Sequence, residues 1–148
     1  MIQQSLSELF ERDLNKLKEE INLYKDENRI WDVKGDIKNS AGNLTLHLLG
    51  NLNHFIGAIL GNSGYMRNRD EEFSDNHVPR TEIIGNIDKT IGIIKSTLLK
   101  VSDQQLKKDY PIKVLKNKET MRTEFFLIHL LGHLNYHLGQ VNYHRRLI

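Results

Sequence analysis

The sequence predicts an all-α fold, a four-helix bundle. Two observations point there. Apolar residues recur at steps of three and four in four separate stretches divided by turn-rich segments, and two of those stretches echo one another as facing helices would. A chain of 148 residues can bury one sizeable core, so residues 1–148 are read as a single domain.

The first helix is expected from about Leu6 to Tyr24. Leu6, Phe10, Leu14, Leu17, Ile21 and Tyr24 form its apolar stripe, while Glu, Lys and Asp fill the other face. Residues 25–39 carry Trp31 and Gly35 among charges and read as a connection, with Trp31 lidding one end of the core. Ser40 offers a cap for the second helix, whose inward face is expected to carry Leu44, His47, Leu48, Asn51, Phe55 and Ala58. The breaker Gly-Asn-Ser-Gly at 61–64 stops it. The loop over 65–80 is long for a compact domain. Within Arg67–Phe73, the side chains of Arg67, Arg69, Asp70 and Glu72 form either a rim for an anionic substrate or, the commoner outcome, a surface salt-bridge cluster.

Pro79 and Thr81 announce the third helix, with Ile84, Ile87, Ile91, Ile94 and Leu98 as a narrow stripe running to about Val101. Ile112 and Val114 then alternate with lysines as a short hairpin or an extended loop. Thr120 or Thr123 is the expected cap of the last helix. Phe126, Leu127, Ile128, Leu130, Leu131, Leu134, Leu138 and Val141 occupy nearly every side of that helix. A bundle core uses only the inward stripe, so the remainder predicts a homodimer interface.

Charge narrows the partners. Lys and Arg number 21 against 19 Asp and Glu, for a net charge of +2, and the two signs are interleaved. The pairs Lys107–Lys108 and Arg145–Arg146 are too small for a nucleic-acid footprint, so no nucleic-acid partner is expected. No apolar run reaches membrane-spanning length, and the first residues, MIQQSLSELFERD, place acids where a secretory signal would be basic and then apolar. A cytoplasmic protein without a membrane partner is expected. The chain has no cysteine, which removes disulfides, thiolate zinc sites and a cysteine nucleophile together. Any thiol used here arrives as a cosubstrate.

The candidate chemistry lies in residues 125–145, FFLIHLLGHLNYHLGQVNYHR. His129, His133 and His137 stand four apart, so two or three imidazoles share one helix stripe and can close on one divalent cation. Histidines that pack or cap without a ligand are the plainer alternative. Against it, each buried imidazole needs a polar partner, and a shared metal satisfies several at once. A third ligand comes from the echo: LHLLGNLNHFIG at 46–57 aligns without gaps on IHLLGHLNYHLG at 128–139, placing His47 opposite His129 and Asn51 opposite His133. On facing helices His47 projects toward the ladder. Close helix packing at Gly50 and Gly132 would also account for the paired strings.

The string GHLNYHLGQVNYHRR resembles the closing helix of the DinB-like (DinB/YfiT-like) superfamily, in which two histidines four apart are followed closely by Gly-Gln; here these are His133, His137, Gly139 and Gln140. LHLLGNLNHFIG is similar to the second helix of that superfamily, and YMRNRDEEF resembles a loop in one poorly characterised branch. The resemblance implies a four-helix bundle with a long crossover connection, usually homodimeric, holding a divalent metal on His47, His133 and His137. Zinc or nickel suits the imidazoles, and iron also accepts them. It further implies, through relatives similar to thiol S-transferases, a small-molecule thiol such as bacillithiol, mycothiol or glutathione acting on an electrophile. The additional His129 is a departure, either competing with His133 or serving outside the ligand set. Asn51 and Gln140 are candidates for anchoring the second ring nitrogens.

Two rival functions stand beside the transferase. In a metal-dependent hydrolase water replaces the thiol, and the absence of a glutamate beside the ladder counts mildly against it, Glu124 being more than two turns away. In a non-catalytic dimeric bundle the metal is structural, and a fourth protein ligand, His129 or His54, would close the site.

Overall fold

The computed structural model describes residues 1–148, and they are all-helical. The elements are α1 (Ile2–Asn22), α2 (Ala41–Leu52) continued by a π-helical stretch (Asn53–Leu60), α3 (Arg69–Ser74), α4 (Arg80–Leu98), α5 (Asp103–Lys107) and α6 (Thr123–Leu147). A 3₁₀ turn occupies Glu27–Trp31. Helix α1 packs against α4 and α6, and α2 packs against the same two, so the four long helices close a bundle with α1 and α2 at opposite corners. Residues 23–40 are the long crossover between those corners. No helix is long and apolar enough to cross a membrane.

The expected stripe of α1 is the buried one: Leu6, Phe10, Leu14, Leu17 and Ile21 all face the core, with Tyr24 just past the helix end. Polar groups then fix α1 against α6. Asp13, 1% exposed, accepts from Asn135 Nδ2 at 2.8 Å and from Arg12 Nε at 2.8 Å. Glu20 accepts from Asn142 Nδ2 and Arg145 Nε, each at 2.7 Å. The Tyr24 hydroxyl donates to His144 Nδ1 at 2.6 Å, and His144 Nε2–H donates to the Asp32 carbonyl at 2.7 Å. His144 is thus a core histidine with both ring nitrogens satisfied. Trp31 rests on Gly42, where any side chain would overlap the indole.

The second helix departs from its expected face beyond Leu52. Phe55 and Ala58 are half-buried, and Ile56 and Gly57 take the core positions, because π-helical winding over 53–60 rotates the later residues relative to an α-helical stripe. In α4 the buried stripe runs Ile83, Ile87, Thr90, Ile94 and Leu98, so Ile83 stands where Ile84 was expected. Thr90 hides this register by residue type. Its hydroxyl donates to the Asn86 carbonyl and accepts from Asn53 Nδ2, each at 2.8 Å, which makes a threonine acceptable in the core.

Neither expected threonine caps α6. Arg122 is the N-cap residue without a side-chain bond, and Thr123, already helical, donates its hydroxyl to the Lys108 carbonyl at 3.1 Å. The segment before it forms one antiparallel bridge, Asp109 to Arg122, so of the two alternatives it is the loop and not the hairpin. Two short helices were not expected. Asn68 caps α3, and Ser102 with Gln105 makes a reciprocal capping box on α5.

The leucines offered as a dimer face are used inside the bundle. Phe126, Leu127, Leu130, Leu134, Leu138 and Val141 are buried, and of the residues named for that face Ile128 alone is exposed. The large apolar residues left outward on α6 are Phe125, Ile128, Tyr136, Tyr143 and Leu147.

Candidate metal centre

Helices α2 and α6 bring His47, His133 and His137 together. The Nε2 atoms of His47 and His133 are 3.2 Å apart, those of His137 and His133 are 3.1 Å apart, and one nitrogen of each ring lies within 4.8 Å of the others. Imidazoles held about 2.0–2.1 Å from a tetrahedral zinc place their nitrogens roughly 3.3 Å from one another. The two pairs that meet at His133 have that spacing.

Protons decide whether the rings can hold one. His47 Nδ1 lies 3.1 Å from Glu72 Oε1, and His137 Nδ1 lies 2.6 Å from Gln140 Oε1. Both oxygens only accept, so both Nδ1 atoms carry the hydrogen and the two Nε2 atoms present lone pairs. The 3.4 Å approach of Arg67 Nη2 to His47 Nδ1 does not reverse this, since a lone pair there would face the Glu72 carboxylate. Both lone pairs point at His133 Nε2, which has at most one proton and can bridge one contact. A divalent cation satisfies all three nitrogens together, so the residues present fit a metal.

Electrostatics keeps His133 and His137 in ligand form. Burial, reinforced by the neighbouring His137 and His47, pushes His133 down to about 4. Burial also lowers His137, against the raising effect of its Gln140 bond. Glu72 remains a carboxylate: burial disfavours its charge, but hydrogen bonds from Arg67 and His47 outweigh that and lower its pKa.

No fourth His, Asp or Glu joins the cluster. His129 is exposed and stacks on Phe126 with ring centroids 5.8 Å apart, and His54 lies edge-on to Phe55. Three candidate ligands therefore converge here, and all of them are histidines. Phe73 flanks it at 5.0 Å from the His47 ring and Tyr136 at 5.2 Å from the His137 ring.

Of the two expected outer partners, Gln140 holds His137 as anticipated. Asn51 bonds to none of the three histidines, and its buried Oδ1 has no hydrogen-bond partner. The rim at 67–73 is not an anion site. Arg67 is committed to Glu72 by two bonds of 2.8 Å, Arg69 lies over the Phe73 ring, and Glu72 is buried against His47. Sequence reading thus missed Glu72 as a histidine partner. The signal was Gly50: read as a helix-packing glycine, it instead makes room for the Glu72 carboxylate, which any side chain at 50 would overlap. Gly132 faces open space, so the paired glycines do not explain the echo.

A family model described as Protein of unknown function (DUF1572) matches residues 3–148. The chain belongs to the DUF1572 family. No curated protein matches it. All three histidines, Gln140 and the Arg67–Glu72 pair fall inside the stretch that the DUF1572 match covers.

Proposed function

We propose that this DUF1572 protein is a metal-dependent enzyme of the DinB-like superfamily, holding zinc, nickel or iron on His47, His133 and His137 and transferring a small-molecule thiol to an electrophile. The observation that carries the reading is the convergence of three Nε2 atoms, two with tautomers fixed from outside, on a point with no fourth protein ligand. When bound there, a divalent cation supplies Lewis acidity that lowers the pKa of a coordinated thiol or water.

The protein's own part is to keep His133 and His137 neutral, to orient His47 and His137 through Glu72 and Gln140, and to offer room beside His137. A cleft of about 800 Å³ runs from His137 past Gln140 and Tyr136 to Tyr143 and Leu147, floored by Ile37 and Lys38. That volume suits a small organic substrate. The thiol assignment draws on the resemblance to thiol S-transferases and on the absence of any cysteine of the chain's own. We also propose a homodimer, with Phe125 and Ile128, outward on α6 and outside that cleft, at the paired surface.

The test of activity is a panel of electrophiles assayed with glutathione, with bacillithiol and without thiol, each with and without added metal. Turnover requiring both metal and thiol is expected. Turnover that needs metal but ignores the thiol assigns a hydrolase, and a metal-loaded protein inert across the panel argues for the structural reading.

A further inference from the structure

Between Gly61 and Glu82 one side chain is buried, and it is a carboxylate. Glu72 is 6% exposed, whereas Tyr65, Met66 and Phe73 are 39%, 91% and 38% exposed, and Val78, half-buried at the far end of the segment, is its one apolar side chain packed on the core. Apolar burial therefore does little to hold residues 61–79 on the bundle. Polar contacts hold them instead. Glu72 bonds to His47, and Asn43 Nδ2 donates to the carbonyls of Glu72 at 3.1 Å and Asp75 at 2.7 Å, while Arg67, itself in the segment, clamps both oxygens of Glu72.

We propose that Glu72 is a positioning residue that couples docking of the strap 61–79 to metal occupancy of the His47, His133 and His137 tripod. The inference rests on the metal-site reading above and adds its second half. Glu72 accepts the Nδ1–H of His47, which fixes the tautomer and the ring orientation and leaves Nε2 free for a cation. The same bond anchors the strap, because the anchor is the strap's one buried side chain. A contact shared by two events links them in both directions: metal binding stabilises the docked strap by the factor by which docking tightens metal binding. Gly50 is part of this device, since the carboxylate lies in the space a Cβ would take.

The experiment compares wild type with Glu72→Ala, Glu72→Gln and Gly50→Ala. Zinc affinity is measured by chelator competition, ligand geometry by the visible spectrum of the cobalt-loaded protein, and strap docking by hydrogen exchange over residues 61–79 with and without zinc. Gly50→Ala changes none of the three histidines nor Glu72 and favours the helix locally, while its Cβ displaces the Glu72 carboxylate, so it reports on that displacement even where Glu72→Ala is poorly folded. Zinc is expected to slow exchange in the wild-type strap. Glu72→Ala and Gly50→Ala should weaken zinc binding by about 10–100-fold, alter the cobalt spectrum alike and abolish the effect of zinc on the strap. Glu72→Gln keeps an acceptor for Nδ1–H and should fall between. Zinc affinities and cobalt spectra like wild type in both Glu72→Ala and Gly50→Ala, or strap exchange indifferent to zinc in a wild type that binds it, would overturn the coupling. A wild type that binds no zinc, nickel or iron would overturn the tripod itself.

Discussion

Gln140 Oε1 accepts the His137 Nδ1–H at 2.6 Å from one turn further along α6, while Gln140 itself is exposed and buries nothing. Its removal should change the site and not the fold. Gln140→Ala is expected to lower metal affinity by about tenfold with an unchanged melting temperature of the metal-free protein. Competition titration beside a thermal melt measures both. Equal affinity in the variant would mean that the His137 ring is oriented by something else.

Glu20 provides the pH prediction. Burial raises its pKa, but hydrogen bonds from Arg145 and Asn142 prevail and the net shift is downward. A carboxylate with a depressed folded-state pKa contributes stability that is complete above its unfolded value, about 4.3, and is lost as pH falls through the folded value. Urea unfolding at pH 7 should therefore show Glu20→Gln less stable than wild type by about 1 kcal/mol, with the gap closing in acid. A gap independent of pH would assign the effect to packing.

The Tyr24–His144 pair is buried, so Tyr24→Phe leaves His144 Nδ1 without its donor. The expected cost is about 1–3 kcal/mol in chemical denaturation. His144→Phe in the same background should recover part of it by removing the orphaned nitrogen. Independent, additive losses would contradict the pairing.

Legibility of the fold followed how far each residue's type matched its burial. The α1 stripe was readable because Leu6, Phe10, Leu14, Leu17 and Ile21 are apolar and inward at once. The register of α4 was not, because Thr90 occupies a core position by donating its hydroxyl back to its own helix. Spacing and the internal echo set His47 opposite the ladder of His129, His133 and His137, while the choice of His133 and His137 over His129 came from the resemblance to the DinB-like superfamily. Glu72 was hidden by a different cause: its partner His47 lies 25 residues away on another helix, and neither local spacing nor charge pattern encodes that contact. The π-helical turn after Leu52 left no periodicity that distinguishes it from α-helix.

The outer face of α6 tests the proposed association. Phe125 is 45% exposed and Ile128 50% exposed, and neither supports the core. Light scattering over a dilution series should give a dimer for the wild type and a monomer for Ile128→Glu. A wild type that stays monomeric at micromolar concentration, or a mutant that still dimerises, removes this face from consideration.

Metal content of the protein purified without an affinity tag and without added metal addresses the tripod most directly. About one zinc, nickel or iron per chain is expected in the wild type, and none in a His133→Ala, His137→Ala double variant that keeps the helical circular dichroism of the parent. A folded double variant with the wild-type stoichiometry would contradict the account.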